Sequence, residues 1–459
     1  VLSFKGQREQ HVDVLVIGGG VCGVVAATLA AKQGLKVCLV KNSHGATGHS
    51  SGAVDVISPN IGAESVFEML SSRGTHWLDG LEKFGRQNIG HPYARVHSAR
   101  ELLVAALAHY TSLLPSIDYV LKDDGTNHLA TTDFGTVKEC LLVPSRMCWD
   151  IRDAKADTHI GVVGIEGFSA FNPHSVASTL SQLLAKGGLS LRVSSFLVPL
   201  KDNPPVTTAA QVMHAFERTD TAFGFAQALA QIAAQQRDFS VIFLPALLGV
   251  YNHLACFRTI QQHVSIPVRE LLSSQIPSAP GLRLSAALLI ALRDFGVEVI
   301  EGVAKLGREE QDLVNSIHVS PLPGSTTLHE PMTLLPKAVI LSTGRYFSGG
   351  MTTEGAIQES VFSLPIWADN LCIDDTSTHM FLGTMADDAH PLFRAGIHYD
   401  DHWRPLDRYG AVRATNLFAA GSLLGGYDPS ISGTALGVAI LTGYAAGMHA
   451  SRYVQGRSV

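Results

Sequence analysis

Gly18, Gly20 and Gly23 stand in the order G-x-G-x-x-G inside HVDVLVIGGGVCGVVAATLAAKQGLKVCLVKN, residues 11–42. That spacing has a chemical use. The first glycine permits a tight turn, the second lets backbone approach a pyrophosphate, and the third lets a helix pack close to a strand. Phosphate oxygens would then sit over the N–H groups around Val21, Cys22 and Gly23, at the positive end of that helix. Ala27, four residues beyond Gly23, is small, as such packing requires. At the end of the second strand an acidic residue would accept a bond from an adenosine ribose. The chain has Lys41 there, and a lysine cannot accept one. Four explanations stay open: an adenosine 2′-phosphate, a weaker adenosine grip, a mononucleotide held differently, or a solvated strand-end charge.

Positioning that turn takes a strand, a helix and a second strand. HVDVLVI is a β-branched run, VVAATLAAKQG a small-residue helix and LKVCLV the next strand. Residues 159–198, HIGVVGIEGFSAFNPHSVASTLSQLLAKGGLSLRVSSFLV, repeat the strand–glycine turn–helix–strand logic. Helical patterning fills ESVFEMLSSRGTHWLDGLEKFG and ARELLVAALAHYTSLL, FSVIFLPALLGV reads as a buried strand and loop, and LRLSAALLIALRDFGVEVIEGVAKL as a helix running into a strand.

The 459 residues are 46% hydrophobic and only 16% charged, the balance of a compact globular protein. A net charge of −6 gives no electrostatic case for nucleic acid. None of the six cysteines forms a Cys-x-x-Cys pair, so no zinc or iron–sulfur site is readable, and reduced, buried thiols of a cytoplasmic protein are expected. VLSFKGQREQ has neither the basic start nor the apolar stretch of a secretory signal. Val14–Ala31 and Pro429–His449 are long and uncharged, but glycines interrupt both, so each is expected to be buried core rather than a membrane span.

Two further glycine segments favour flavin over nicotinamide. ILSTGRYFSGG resembles the Ala-Thr-Gly-Gly turn that follows a strand in two-domain flavoproteins, and NLFAAGSLLGG resembles a motif near their C-terminus. Together with IGGGVCG, HSSGAVDVIS, VVGIEGFSAF, LPALLGV and LRLSAALLIALRDFGVEVIEG, they make the chain resemble the B-subunit family of anaerobic glycerol-3-phosphate dehydrogenases. That family lies within the fumarate-reductase-type flavoproteins, and it also lacks the ribose-binding acid. The likeness runs from Asp13 almost to the C-terminus.

The resemblance implies an α/β fold with a discontinuous, Rossmann-like flavin-binding domain, expected at 1–62, 268–350 and 395–459. A large inserted α/β region is expected at 63–267, and a small cap at 351–394. It implies a flavin cofactor, FAD or FMN, and no metal. The implied reaction is oxidation of sn-glycerol 3-phosphate, a small phosphorylated polyol, to dihydroxyacetone phosphate. The implied partners are a large flavin subunit and an iron–sulfur, membrane-attached subunit, with quinone reached indirectly. The implied location is cytoplasmic, peripheral at the inner face of the cell membrane through those partners. A non-catalytic electron-relay subunit, and a superfamily dehydrogenase acting on a dicarboxylate or hydroxy acid, are the alternatives.

By the same resemblance, Ser50, Ser51 and Gly52 lie near the flavin, and Gly344 and Gly421 let backbone approach it. Ser422, Leu423 and Leu424 adjoin a helix N-terminus that stabilises negative charge on the reduced ring. AGIHYDDHWRP, residues 395–405, resembles a segment on the substrate side and contains His398, His402 and Arg404. Oxidising a secondary alcohol needs a base for the hydroxyl proton, and His398 is the most economical candidate. A phosphate suits the fork of a guanidinium, from Arg345 or Arg404. His49, Tyr346, Tyr427 and Asp428 are further candidates to line the cavity.

Overall fold

The computed structural model describes residues 8–57, 66–71, 74–95, 99–200, 208–236, 238–273, 275–352, 357–368, 370–373 and 391–457. The chain divides into two compact units. The first comprises Val1–Ala46, Leu81–Leu113 and Leu288–Val459, and the second Thr47–Gly80 and Leu114–Ala287.

The first unit is built on β1 (Arg8–Ile17), whose last four residues, VLVI, are all buried. A strand apolar on both faces belongs in the middle of a parallel sheet with cover on each side. α1 (Val21–Lys32) supplies cover and is buried at every position from Val21 to Ala30. β2 (Val37–Lys41) returns beside β1 in parallel, and α2 spans Ala99–Ser112. β3 (Glu298–Glu310) pairs in parallel with β2, and its second half turns to an antiparallel partner, β4 (Leu313–Pro321). β5 (Met332–Leu341) pairs with β4 antiparallel and with β1 in parallel, and β6 (Leu417–Ala419) adds a parallel edge. The parallel order is therefore β3–β2–β1–β5–β6, with β4 linking β3 to β5.

α3 (Ala435–Val454) lies against α1 at a distance only glycines allow. A side-chain carbon at Gly443 would come within 2.4 Å of the Cys22 carbonyl oxygen, and one at Gly447 within 2.9 Å of that of Ala26. This accounts for the apolar, glycine-broken stretches of the sequence: the first runs from the end of β1 into α1, the second into α3, and the two helices are in contact. Among the described residues no helix is long and apolar enough to cross a membrane.

The second unit has its own sheet of four parallel strands, in the order 268–270, 241–244, 159–165, 192–198. Its core gathers Ile160, Val162, Leu180, Phe216, Leu229 and Phe243.

The division differs from the boundaries expected from sequence. Residues 81–113 belong to the first unit rather than to the insertion, because α2 packs on α1, where Thr28 Oγ1 and His109 Nε2 meet at 3.0 Å. Residues 47–57 and 268–287 fall in the second unit: Val54 bridges to Leu142, and Val268–Glu270 pairs with 242–244. The described parts of 351–394 belong to the first unit, where Trp367 and Gly396 exchange both backbone hydrogen bonds. Residues 374–390 of the expected cap lie outside the described residues.

Candidate functional site

Register in the first unit sets several strand ends side by side. Ile17 is opposite both Val40 and Leu341, and Leu341 is opposite Ala419. The turns after these strands, carrying Gly18–Gly23, Thr343–Gly344 and Gly421–Leu424, therefore leave the sheet along one edge. In open parallel sheets that carboxyl edge is where ligands bind.

Backbone at this edge is packed to a closeness that no side chain tolerates. Gly18 has φ +119°, and an added carbon would lie 2.2 Å from the Ser342 carbonyl oxygen. One at Gly23 would lie 1.9 Å from the Gly18 carbonyl oxygen. Ser342 Oγ donates to the carbonyls of Ile17 and Gly18, each at 3.1 Å, stitching the first turn to the second. Gly344 (φ +77°) and Gly421 (φ +77°) adopt conformations reserved for glycine, and Gly421 N–H donates to Thr442 Oγ1 at 2.8 Å. α1 begins at Gly20 with no side chain capping it and no acidic residue in its first turn. A helix start led by glycine and without an acidic first turn can serve as an anion site. Cys22, in that first turn, is buried and its thiol is pushed up to about 12 by desolvation, so it contributes backbone rather than a reactive sulfur.

The Lys41 puzzle has a local answer. Its ammonium pairs with Glu301 of β3 at 3.3 Å, and the two residues face each other in the sheet. A carboxylate thus stands at this strand edge after all, on the neighbouring strand and neutralised by the lysine. Lys41 is a paired structural charge, not a free cation for a cofactor phosphate. Pairing of two strands far apart in the chain is what the linear sequence hides.

Arg345 and Arg404 are also committed elsewhere. Arg345 donates from Nε to the Ser422 carbonyl at 2.5 Å, from Nη1 to that of Phe393, and from Nη2 to those of Leu424 and Tyr427 at 3.0 and 2.9 Å. Its guanidinium lies over the Tyr427 ring, 4.9 Å from the centroid. It laces the loop that carries Gly421–Leu424 instead of offering a fork to a substrate phosphate. Arg404 chelates Asp400 through Nε and Nη2 at 2.8 and 2.7 Å.

His398 stacks on Trp367 with ring centroids 4.5 Å apart and planes 11° from parallel. Its segment is fixed to the glycine edge: Ile397 N–H donates to the Leu423 carbonyl and Gly425 N–H to that of Ile397, at 3.0 and 3.1 Å. These bonds tie Ser422 and Leu423 to the segment of His398, whereas Arg404 is turned to Asp400. His402 sits instead against His449, at 5.6 Å. Ser50, Ser51, Gly52 and His49 belong to the second unit, where Ser278 Oγ donates to the Ser50 carbonyl at 2.6 Å and Tyr119 OH to that of Gly52 at 2.9 Å.

Burial makes a further set of polar groups conspicuous. The phenol oxygens of Tyr346, Tyr399 and Tyr427, and Thr343 Oγ1, are buried in the first unit without a hydrogen-bond partner among the described residues. Burial pushes the Tyr427 phenol up to about 12 and raises that of Tyr399 as well, so both are neutral donors. Buried hydroxyls left unbonded cost about 1–3 kcal/mol each unless a ligand completes them. Tyr346 and Tyr427 are among the cavity candidates of the sequence, whereas Tyr399 and Thr343 are not. Their only signal there is position: Tyr399 follows His398 in AGIHYDD, and Thr343 precedes Gly344.

A helix start led by glycine, glycine-only turns along one sheet edge and hydroxyls unpartnered among the described residues of the same unit are the features of a protein that holds a nucleotide cofactor by its phosphates. The family model for FAD-binding domains matches residues 13–438, and the chain belongs to that family. A flavin is its cofactor, and the glycine edge fits one.

The relatives narrow the class. The chain is similar to the B subunit of the anaerobic glycerol-3-phosphate dehydrogenase of Pectobacterium atrosepticum, 28% identical over 443 residues, covering 94% of this chain and 96% of that protein. The proteins of the same name from Aliivibrio fischeri and Vibrio cholerae are each 26% identical, covering 94% and 95% of this chain and 93% and 95% of their own lengths.

Proposed function

We propose that this chain is the flavoprotein subunit of a quinone-linked glycerol-3-phosphate dehydrogenase. The observation that carries the reading is near end-to-end similarity to B-subunit proteins, joined to a glycine edge fit for a flavin. When bound, the flavin supplies a two-electron acceptor. The chain's own residues do the rest. The α1 N-terminus at Gly20–Gly23 would hold the flavin's phosphate, and the Gly421–Leu424 turn would hold its ring through backbone. His398, stacked on Trp367, would take the proton of the C2 hydroxyl, while the hydride of that carbon would go to the bound flavin, leaving the ketone. Tyr399 and Tyr427 donate to substrate oxygens. Electrons pass on to an iron–sulfur partner at the inner membrane face, and quinone is reached through it.

A relay role is the second reading, and one observation favours it: Arg345 and Arg404, the guanidiniums expected to take the phosphate, are both engaged internally. Anaerobic mixing of the purified chain with glycerol 3-phosphate separates the two. Bleaching of the flavin band by this chain alone supports direct oxidation. Bleaching only after the larger flavin subunit is added supports the relay, and bleaching by succinate or lactate instead defeats both.

A further inference from the structure

The reaction proposed above needs a cation for the substrate phosphate, and neither arginine singled out in the sequence is free to be one. Arg345 donates to four carbonyls, and Arg404 chelates Asp400. A third guanidinium, Arg95, stands beside the His398 segment within the first unit. It closes the single-turn helix Pro92–Arg95. Its Nη1 donates to the Tyr399 carbonyl at 2.7 Å, and its guanidinium lies over the Tyr399 ring, 4.7 Å from the centroid. That ring is itself stacked on Trp403, with centroids 5.3 Å apart and planes 10° from parallel.

These two contacts hold a side chain that is nevertheless exposed. Among the described residues no carboxylate pairs with it, and its Nε and Nη2 have no hydrogen-bond partner. Those two nitrogens share one edge of the guanidinium plane, where their N–H bonds run parallel and match two oxygens of a phosphate. An exposed arginine ordinarily loses side-chain freedom when it binds a ligand. Here a carbonyl and a ring have already fixed the fork, so that cost is small.

The station of Arg95 relative to the glycine edge is set from two directions. Tyr399 continues the segment whose Ile397 N–H donates to the Leu423 carbonyl at 3.0 Å. The stretch leading into Arg95 packs on the turn that follows Leu424. A side-chain carbon at Gly426, where φ is +89°, would come within 2.3 Å of the Gly90 carbonyl oxygen. The His91 ring lies 5.1 Å from that of Tyr427. Its Nδ1 accepts from the Tyr93 N–H at 3.1 Å, and its Nε2 meets Thr434 Oγ1 at 3.2 Å. Arg95 is thus tied to Tyr399 directly and to Tyr427 through His91, the two residues whose phenols are buried without a partner among the described residues.

We infer that Arg95 is the anion ligand of the substrate site, taking the phosphate of a phosphorylated polyol through Nε and Nη2. The inference rests on the reading of this chain as a dehydrogenase of glycerol 3-phosphate, and it gives that reading the free guanidinium that Arg345 and Arg404 do not supply.

Dihydroxyacetone phosphate tests it, because it is already the oxidised form and reports binding without turnover. Titrated into the full chain carrying its flavin, it is expected to shift the flavin absorbance, with uncharged dihydroxyacetone as the control. Arg95→Met is expected to raise the half-saturating concentration of the phosphate by about 10- to 100-fold, the range for losing a charged hydrogen bond, and to leave that of dihydroxyacetone unchanged. Arg95→Lys, which keeps the charge but not the fork, is expected to raise it by about tenfold, and decides the matter if the methionine variant does not fold. A residue that only props Tyr399 would weaken both ligands alike. Equal weakening of the two, an affinity for the phosphate unchanged in either variant, or a wild type indifferent to the phosphate overturns the proposal. Bleaching by glycerol 3-phosphate, followed on the same wild-type protein, reports on the reaction separately. Phosphate binding that depends on Arg95, without bleaching, defeats direct oxidation and leaves the site standing. Bleaching with phosphate affinity unchanged in Arg95→Met does the reverse.

Discussion

Each unit contains a parallel strand, a glycine-bearing turn and a helix, and the two turns have opposite finishes. In the first unit the helix begins at Gly20 with no side-chain cap. In the second, the helix Pro173–Lys186 begins at Asn172, whose side chain accepts from the His174 and Ser175 N–H groups, with proline in its first turn. The next helix, Ala209–Ala215, closes its start with a full capping box of Thr208 and Gln211. Capping satisfies the donors that a phosphate would otherwise take. Similar sequence logic therefore gives a structural turn in one unit and an open one in the other. The deciding residue is the one before the helix, glycine against asparagine.

The largest effect should come from closing the open turn. Gly23→Ala places a carbon 1.9 Å from the Gly18 carbonyl oxygen, and the expected outcome is little soluble, flavin-bearing protein in a parallel expression comparison. Arg345→Ala comes next. Four carbonyls lose their donor, and urea unfolding should report a loss of about 3–5 kcal/mol, the range for breaking buried charged networks. Lysine should not rescue it, since its single ammonium lacks the planar fork.

Acid should act on the first unit in the next measure. Burial depresses His91 to about 3, and His109 and His449 to about 4, the latter two with help from Lys32 and His402 respectively. Unfolded histidines titrate near ~6.5, so the stability linked to these three is complete above that pH and drains as pH falls toward 4. Each contributes a slope of about 1.4 kcal/mol per pH unit within its window, and urea midpoints at pH 7.5 and pH 5 should show the fall. Asn172→Ala, at the closed turn, should cost only about 1 kcal/mol and leave flavin content untouched. The smallest effect is expected from Glu301→Gln, under about 1 kcal/mol for a partly exposed pair. Fluorescence titration should show FAD and FMN affinities little changed; an FAD-specific loss would give this carboxylate the ribose contact that β2 lacks.

What the sequence made legible follows the same contrast. Glycine spacing announced the close-packed turns at Gly18, Gly23, Gly344 and Gly421, because close approach of neighbouring atoms leaves a residue signature. The α/β class followed from apolar runs of strand and helix length. The partners of charged groups were not legible. Lys41 meets Glu301, and Arg345 meets Phe393 and Tyr427, through sheet register and loop return rather than sequence spacing. Unit boundaries were misplaced for a related reason: α2 lies within the expected insertion in sequence but packs on α1. Which phenols go unpartnered leaves no pattern either, because only burial distinguishes them.

We propose that the Gly18–Gly23 turn is what holds the flavin, so the most direct measurement is the visible spectrum of the natively purified chain, with its cofactor released and identified by mass. The account expects a yellow protein with about one flavin per chain, lost on closing the Gly18–Gly23 turn and kept on uncapping Asn172. A colourless protein that takes up neither FAD nor FMN, or one whose flavin survives Gly23→Ala, would contradict it.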